Sequence, residues 1–174
     1  RALRHHCDNR WVLLYVERWL TAPLQDDSGE PVPRTKGTPQ GGVVSPILAN
    51  LFLHYAFDAW VRRVMPKVPF CRYADDGLLH CRSKKQAHYV MSKIAGRCRT
   101  CGLEIHRGKS RIVHCKDKNR REEYPVVSFD FLGFTFRPRR CVGKKGNVHP
   151  NFLPAVSGAS LKAIGREIRS WHVQ

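Results

Sequence analysis

The stretch Phe70-Cys71-Arg72-Tyr73-Ala74-Asp75-Asp76-Gly77-Leu78-Leu79-His80-Cys81 leaves this chain the fewest choices. Two short apolar runs flank a polar centre ending in Gly77, the pattern of a tight β-hairpin with Asp75 and Asp76 held at its tip. Adjacent carboxylates repel, and no Lys or Arg lies beside them on the C-terminal side. Their natural counter-ion is a hard divalent cation such as Mg²⁺, bound by one or two carboxylates together with substrate phosphates. That is the equipment of two-metal phosphoryl or nucleotidyl transfer. The same tetrapeptide also serves as an ordinary solvated turn, so its surroundings must decide.

The surroundings begin with Lys36-Gly37-Thr38-Pro39-Gln40-Gly41-Gly42-Val43-Val44-Ser45-Pro46. Its glycines let backbone approach a ligand closely, and Ser45 before Pro46 reads as an N-cap followed by proline at the first helical position. A helix from Pro46 to about Val64 is expected, with Leu48, Leu51, Phe52, Tyr55 and Ala59 as its buried stripe. Its N-terminus would aim backbone N–H groups at a phosphate.

The Thr38-Pro39-Gln40-Gly41-Gly42 loop with Ser45-Pro46, then Tyr73-Ala74-Asp75-Asp76, then Phe131-Leu132-Gly133-Phe134 follow in an order and spacing that resembles the reverse transcriptase of bacterial group II introns. The resemblance runs over nearly the whole chain. It implies a polymerase palm and RNA-directed DNA synthesis, with a primer 3′-hydroxyl attacking the α-phosphate of a dNTP and two Mg²⁺ ions assisting. By the same resemblance Asp75 binds metal and Asp76 supports it, while Tyr73 and Ala74 floor the site near primer end and nucleotide. Pro39, Gln40, Gly41 and Gly42 would line the incoming nucleotide and template base. Lys109 stands where the family carries a lysine near the triphosphate, preceded here by His106-Arg107-Gly108 where relatives more often have His-Pro-Glu. Leu132, Gly133 and Phe134 match the segment that grips the primer. The partners implied are RNA template and intron RNA, DNA primer or target, and dNTPs, in a bacterial cytoplasm.

Charge agrees with a polyanionic partner. The formal charge of +17 is unevenly placed: residues 1–80 carry 10 Lys/Arg against 8 Asp/Glu, and residues 81–174 carry 21 against 6. A half with +15 calls for nucleic acid first and an anionic membrane second, because each neutralised phosphate releases condensed counterions. The membrane lacks an anchor, since the most apolar segment, Ile47 to Val64, is interrupted by Asn50, His54 and Asp58, and no signal peptide is visible.

Seven cysteines without framework spacing suit a reducing cytoplasm. Cys98 and Cys101 form a lone Cys-x-x-Cys, for which Cys115, Cys141, His106 or His114 would have to complete a zinc site. The simpler reading is a buried helix stripe of Ala87, Val90, Met91, Ile94, Cys98 and Cys101. The nine scattered histidines carry no metal or catalytic assignment.

Along the rest of the chain, Asp8 is the expected N-cap of a helix bearing Val12, Tyr15, Val16, Trp19 and Leu20, which Pro23 stops. Asp27-Ser28-Gly29-Glu30 marks a surface hairpin. Ser83 caps a helix over 84–101 that Gly102 ends. Leu103–His106 and Arg111–His114 alternate like strands, and Lys116–Glu123 reads as a solvated charge run. Phe129, Phe131, Phe134 and Phe136 mark two short strands bent at Gly133, where a bulge or close backbone approach is expected. Gly143-Lys144-Lys145-Gly146 is a basic turn, and Leu161, Ile164, Ile168 and Trp171 mark a last helix.

This series is α+β, an antiparallel sheet with helices packed on one face. The resemblance implies that residues 1–150 are palm and 151–174 the start of a thumb or maturase region, with Pro150–Pro154 as the boundary. The family's further catalytic aspartate lies on a preceding strand. The acids ahead of the glycine loop, Asp8, Glu17, Asp26, Asp27 and Glu30, do not fit that role, so the chain is expected to be an incomplete piece. The alternative from another class is a non-catalytic RNA-binding maturase module on a polymerase scaffold.

Overall fold

The computed structural model describes the chain except residues 26, 27, 34–36, 39, 40, 121, 145 and 172–174. It is an α+β protein in two compact units, Arg1–Ile105 and His106–Gln174.

The first unit opens with a 3₁₀ turn, Ala2–His5, and helix α1, Arg10–Thr21. The cap is Asn9 rather than Asp8: the Asn9 side-chain oxygen accepts from the N–H groups of Trp11 (3.0 Å) and Val12 (3.3 Å). Asp8 stands one residue too early for that reach. Only Val16 of the expected stripe is buried, while Val12, Tyr15, Trp19 and Leu20 are exposed. Strands β1, Leu24–Gln25, and β2, Pro31–Val32, form the expected small hairpin.

The next helix runs from α2, Ser45–Leu53, through a π-helical segment, His54–Asp58, into α3, Ala59–Val64. Val44 holds the cap position and Ser45 is already helical, one residue earlier than the sequence pattern placed it. The π segment explains a larger departure. Each π turn closes i→i+5 instead of i→i+4, so the buried face slips by about one residue. Tyr55, expected inside, is exposed, and Ala56, Val61 and Met65 are buried in place of Tyr55 and Ala59. Arg97 secures the slipped turn, donating from Nε to the Ala56 carbonyl (2.8 Å) and from Nη2 to that of Tyr55 (3.3 Å).

Strands β3, Phe70–Tyr73, and β4, Asp76–Leu79, pair antiparallel, and helix α4, Lys84–Thr100, follows. Ser83 caps α4 by accepting from Gln86 N–H (3.2 Å). At its far end Leu103 N–H donates to Cys98 O (2.8 Å) and Gly102 N–H to Arg99 O (3.1 Å), a Schellman motif. The motif needs the left-handed conformation that Gly102 adopts at φ +71°. Val90 and Ile94 project from α4 into the core with Val61, Met65 and Val68. Phe57, Trp60, Phe70, Leu79, Cys81, Cys98 and Ile105 pack around it, so the hairpin and both helices share one apolar centre. Burial pushes the Cys98 thiol pKa up, with neighbouring Cys101 adding to the shift.

In the second unit β5, Phe129–Phe131, β6, Phe134–Val142, and β7, Val148–Val156, form an antiparallel sheet in that order. Phe129 stacks on its register partner Phe136 at 4.9 Å. Pro150 and Pro154 lie within β7, an edge strand that tolerates the missing N–H, and Pro138 of β6 sits beyond the end of β5. The strands expected at Leu103–His106 and Arg111–His114 do not form. Alternation supplies an apolar face, but a strand also needs a partner ladder. Ile105 reaches the core without one, and Arg111–His114 has His114 N–H to Val126 O (2.9 Å) in its place. Helix α5, Gly158–Ser170, is capped by Ser157, whose hydroxyl accepts from Ser160 N–H (3.1 Å). Its Leu161, Ile164 and Ile168 are exposed. No helix among the described residues is long and apolar enough to cross a membrane.

Candidate active site

The carboxylate pair sits where the alternation put it, with one refinement. Tyr73 pairs with Asp76, leaving Ala74 and Asp75 as a two-residue turn. Asp75 is therefore at the tip, and Asp76, also expected there, is the first residue of β4 and is held by the ladder. Tyr73, Ala74, Asp75 and Asp76 are all exposed.

The pleat sorts the hairpin's side chains by face. Phe70 and Leu79, paired across the strands, turn to the core. Arg72 pairs with Gly77 on that same face. A Cβ at Gly77 would stand 3.6 Å from the Phe57 ring, ordinary van der Waals contact, so the hairpin lies against the helix at this point. Tyr73 and Asp76 fall on the opposite, solvent-facing side.

Arg72, which no sequence motif singles out, ties the hairpin to the helix. Its Nε and Nη2 donate to Asp58 Oδ1 (2.8 Å) and Oδ2 (2.7 Å), a two-pronged ion pair whose side chains are 12 % and 13 % exposed. Its Nη1 donates to Asn50 Oδ1 (2.9 Å) and to the Ala74 carbonyl (2.6 Å). The bond from Arg72 holds the Asp58 carboxyl below the usual carboxylate range, burial opposes this, and the Arg72, His54 and Arg62 charges add to the lowering. The same bond raises the Arg72 pKa. A signal was present: Asn50, His54 and Asp58 interrupt an apolar helix at intervals of four. Eight residues of regular α-helix leave Asn50 and Asp58 about 80° apart, and the wider π turn takes up part of that drift so one guanidinium reaches both.

Ala74 has φ +49°, a left-handed conformation that costs a non-glycine residue about 1–2 kcal/mol. Its carbonyl is the one Arg72 grips.

Of the glycine loop, Gly41 is exposed with φ +83° and open space around it, and Gly42 accepts from Ser45 N–H (3.1 Å). Pro39 and Gln40 lie outside the described residues. Lys109 belongs to the second unit, exposed on a turn where its N–H donates to His106 O (3.1 Å).

Leu132, Gly133 and Phe134, also in the second unit, form a tight turn and not a bulge, because Phe131 pairs directly with Phe134. Leu132 (φ +49°) and Gly133 (φ +81°) are both left-handed, the requirement of a type I′ hairpin. The close approach expected at Gly133 is real: its carbonyl accepts from Ser157 N–H (2.9 Å) and Ser160 hydroxyl (3.1 Å) at the start of α5. Leu132 and Phe134 remain exposed.

Two adjacent, solvent-facing carboxylates suit Mg²⁺, which keeps several waters and takes one or two protein oxygens plus substrate phosphates. Among the described residues no group of three or more His, Cys, Asp or Glu could hold a metal ion. No curated protein matches the chain. Residues 2–136 match the family model for reverse transcriptase (RNA-dependent DNA polymerase), a span that includes the glycine loop, both hairpin carboxylates, Lys109 and the Leu132–Phe134 turn. The chain therefore belongs to the reverse transcriptase family.

Proposed function

We propose that the chain is the greater part of the palm of a group II intron reverse transcriptase, working in a longer protein that also binds its intron RNA. The observation that carries this reading is the Ala74–Asp76 tip: exposed carboxylates on a hairpin fixed to the core by Phe70 and Leu79 and to the helix by Arg72. Rigid placement of charge ahead of the reaction is what nucleotidyl transfer requires, since its catalysis is mostly positioning and electrostatic stabilisation.

Asp75 is the metal ligand in this proposal, and Asp76, locked in the ladder, supports it. Mg²⁺, when bound, would lower the pKa of the primer hydroxyl and steady the pyrophosphate that leaves. Tyr73 presents an exposed ring beside Asp76, a floor for the primer end and nucleotide. Pro39, Gln40, Gly41 and Gly42 line the nucleotide and template base, Lys109 meets the triphosphate, and the Leu132–Phe134 turn grips the primer through its backbone. A further carboxylate supplied from outside this chain completes the metal site. The basic half, residues 81–174, holds RNA.

The test is primer extension on an RNA template with dNTPs and Mg²⁺, by the 174-residue chain and by the longer protein. RNA-templated extension by the longer protein alone supports the reading. Extension by neither removes it, and robust extension by the short chain shows that the palm is complete without a further ligand.

A further inference from the structure

We propose that Arg72, clamped by Asp58 and Asn50, is a positioning residue that fixes the Asp75 carboxylate by gripping the backbone of the turn that carries it. This inference rests on the polymerase reading above.

The two carboxylates are held by different means. Asp76 lies in the β3–β4 ladder opposite Tyr73, whereas Asp75 lies in the turn and outside the ladder. The peptide that joins Ala74 to Asp75 needs an anchor of its own. That anchor is Arg72 Nη1, 2.6 Å from the Ala74 carbonyl. The grip holds a non-glycine residue at φ +49°, and such a conformation persists only where surrounding contacts over-determine it.

The guanidinium is itself immobilised. Asp58 receives Nε and Nη2, Asn50 shares Nη1, and both acceptors stand on the helix that the hairpin packs against. The planar fork has the donors to satisfy all three partners at once. A lysine at position 72 keeps the charge but offers a single ammonium on a flexible stem, which cannot hold Asp58, Asn50 and the Ala74 carbonyl together. Chain order follows the same logic: the helix fixes Arg72, Arg72 fixes the Ala74 carbonyl, and one peptide later the carboxylate is aimed. Supporting groups of this kind orient a metal ligand without touching the metal.

The experiment compares wild type, Arg72→Lys and Asn50→Ala in the longer polymerase. Single-nucleotide extension gives kcat and the dNTP KM, Mn²⁺ binding in the presence of dNTP is read by EPR, and thermal melting reports folding. Asn50→Ala removes one contact at an exposed position and keeps the Arg72–Asp58 pair, so it remains informative if Arg72→Lys folds poorly. The expected result for Arg72→Lys is a loss of about 10- to 100-fold in kcat with weaker Mn²⁺ binding and a dNTP KM near wild type. Asn50→Ala shows a smaller loss of the same kind with an unchanged melting temperature. Wild-type kcat and Mn²⁺ binding in folded protein of either variant overturn the proposal, as does a loss that only tracks the unfolded fraction. If wild type does not extend a primer, the polymerase reading fails separately, and the EPR comparison still decides whether Arg72 orders the carboxylate.

Discussion

Replacing Gly133 with alanine perturbs one turn whose geometry allows a magnitude to be worked. At φ +81° a Cβ is in the left-handed region, at a cost of about 1–2 kcal/mol. Loss of glycine's freedom in the unfolded chain returns about 0.4–1 kcal/mol. The new methyl also meets Ser160 Oγ at 3.0 Å, the oxygen that donates to the Gly133 carbonyl and accepts from Ser157. Displacing it forfeits a hydrogen bond of about 0.5–1.5 kcal/mol. The net expectation is a destabilisation of about 2 kcal/mol, roughly half from the backbone and half from Ser160. Ser160→Ala removes the colliding oxygen, so Gly133→Ala should cost only about 1 kcal/mol in that background. Urea denaturation of wild type, both single variants and the double variant reads the cycle. Full stability of Gly133→Ala, or an equal loss in both backgrounds, would refute this account of the turn.

Two further outcomes follow from charge. RNA affinity should fall steeply as salt rises, with log K changing by about −0.7 to −0.9 per phosphate contacted for each unit of log salt. Neutralising Arg107, Lys109, Arg111, Lys144 and Lys145 together should weaken binding and flatten that slope, and an unchanged slope counts against residues 81–174 as the RNA-holding half. Asp58→Asn should destabilise by about 3 kcal/mol at pH 7, since it breaks a largely buried ion pair. Because the folded-state pKa of Asp58 is lowered, its contribution is complete above the ordinary aspartate value of about 4 and is lost as pH falls through the lowered value. Wild type and Asp58→Asn should therefore converge in stability in acid, and a gap that stays constant from pH 7 to pH 3 contradicts the ion pair's role.

What the sequence made legible was local. Helix α4 carries its own start at Ser83, its own stop at Gly102 and a stripe in phase, so nothing distant was needed to place it. The carboxylate hairpin was equally readable because alternation sets both register and facing. The π segment was not, since a one-residue slip in phase is invisible to a search for 3.6-residue periodicity. Arg72, Asn50 and Asp58 escaped for a related reason: their value lies in a meeting across 14 and 22 residues of chain. As single letters Asn50 and Asp58 are interruptions of an apolar helix and Arg72 is one more basic residue. Leu103–His106 is the opposite case: alternation predicts a strand there, but without a partner ladder none forms.

The most direct test of the central claim is Asp75→Asn in the longer protein, measured for primer extension and for RNA binding in the same preparation. The substitution removes a metal ligand and leaves phosphate-contacting cations in place. The account predicts loss of Mg²⁺-dependent extension with RNA affinity close to wild type. Wild-type extension by Asp75→Asn would contradict it and take Asp75 out of the site.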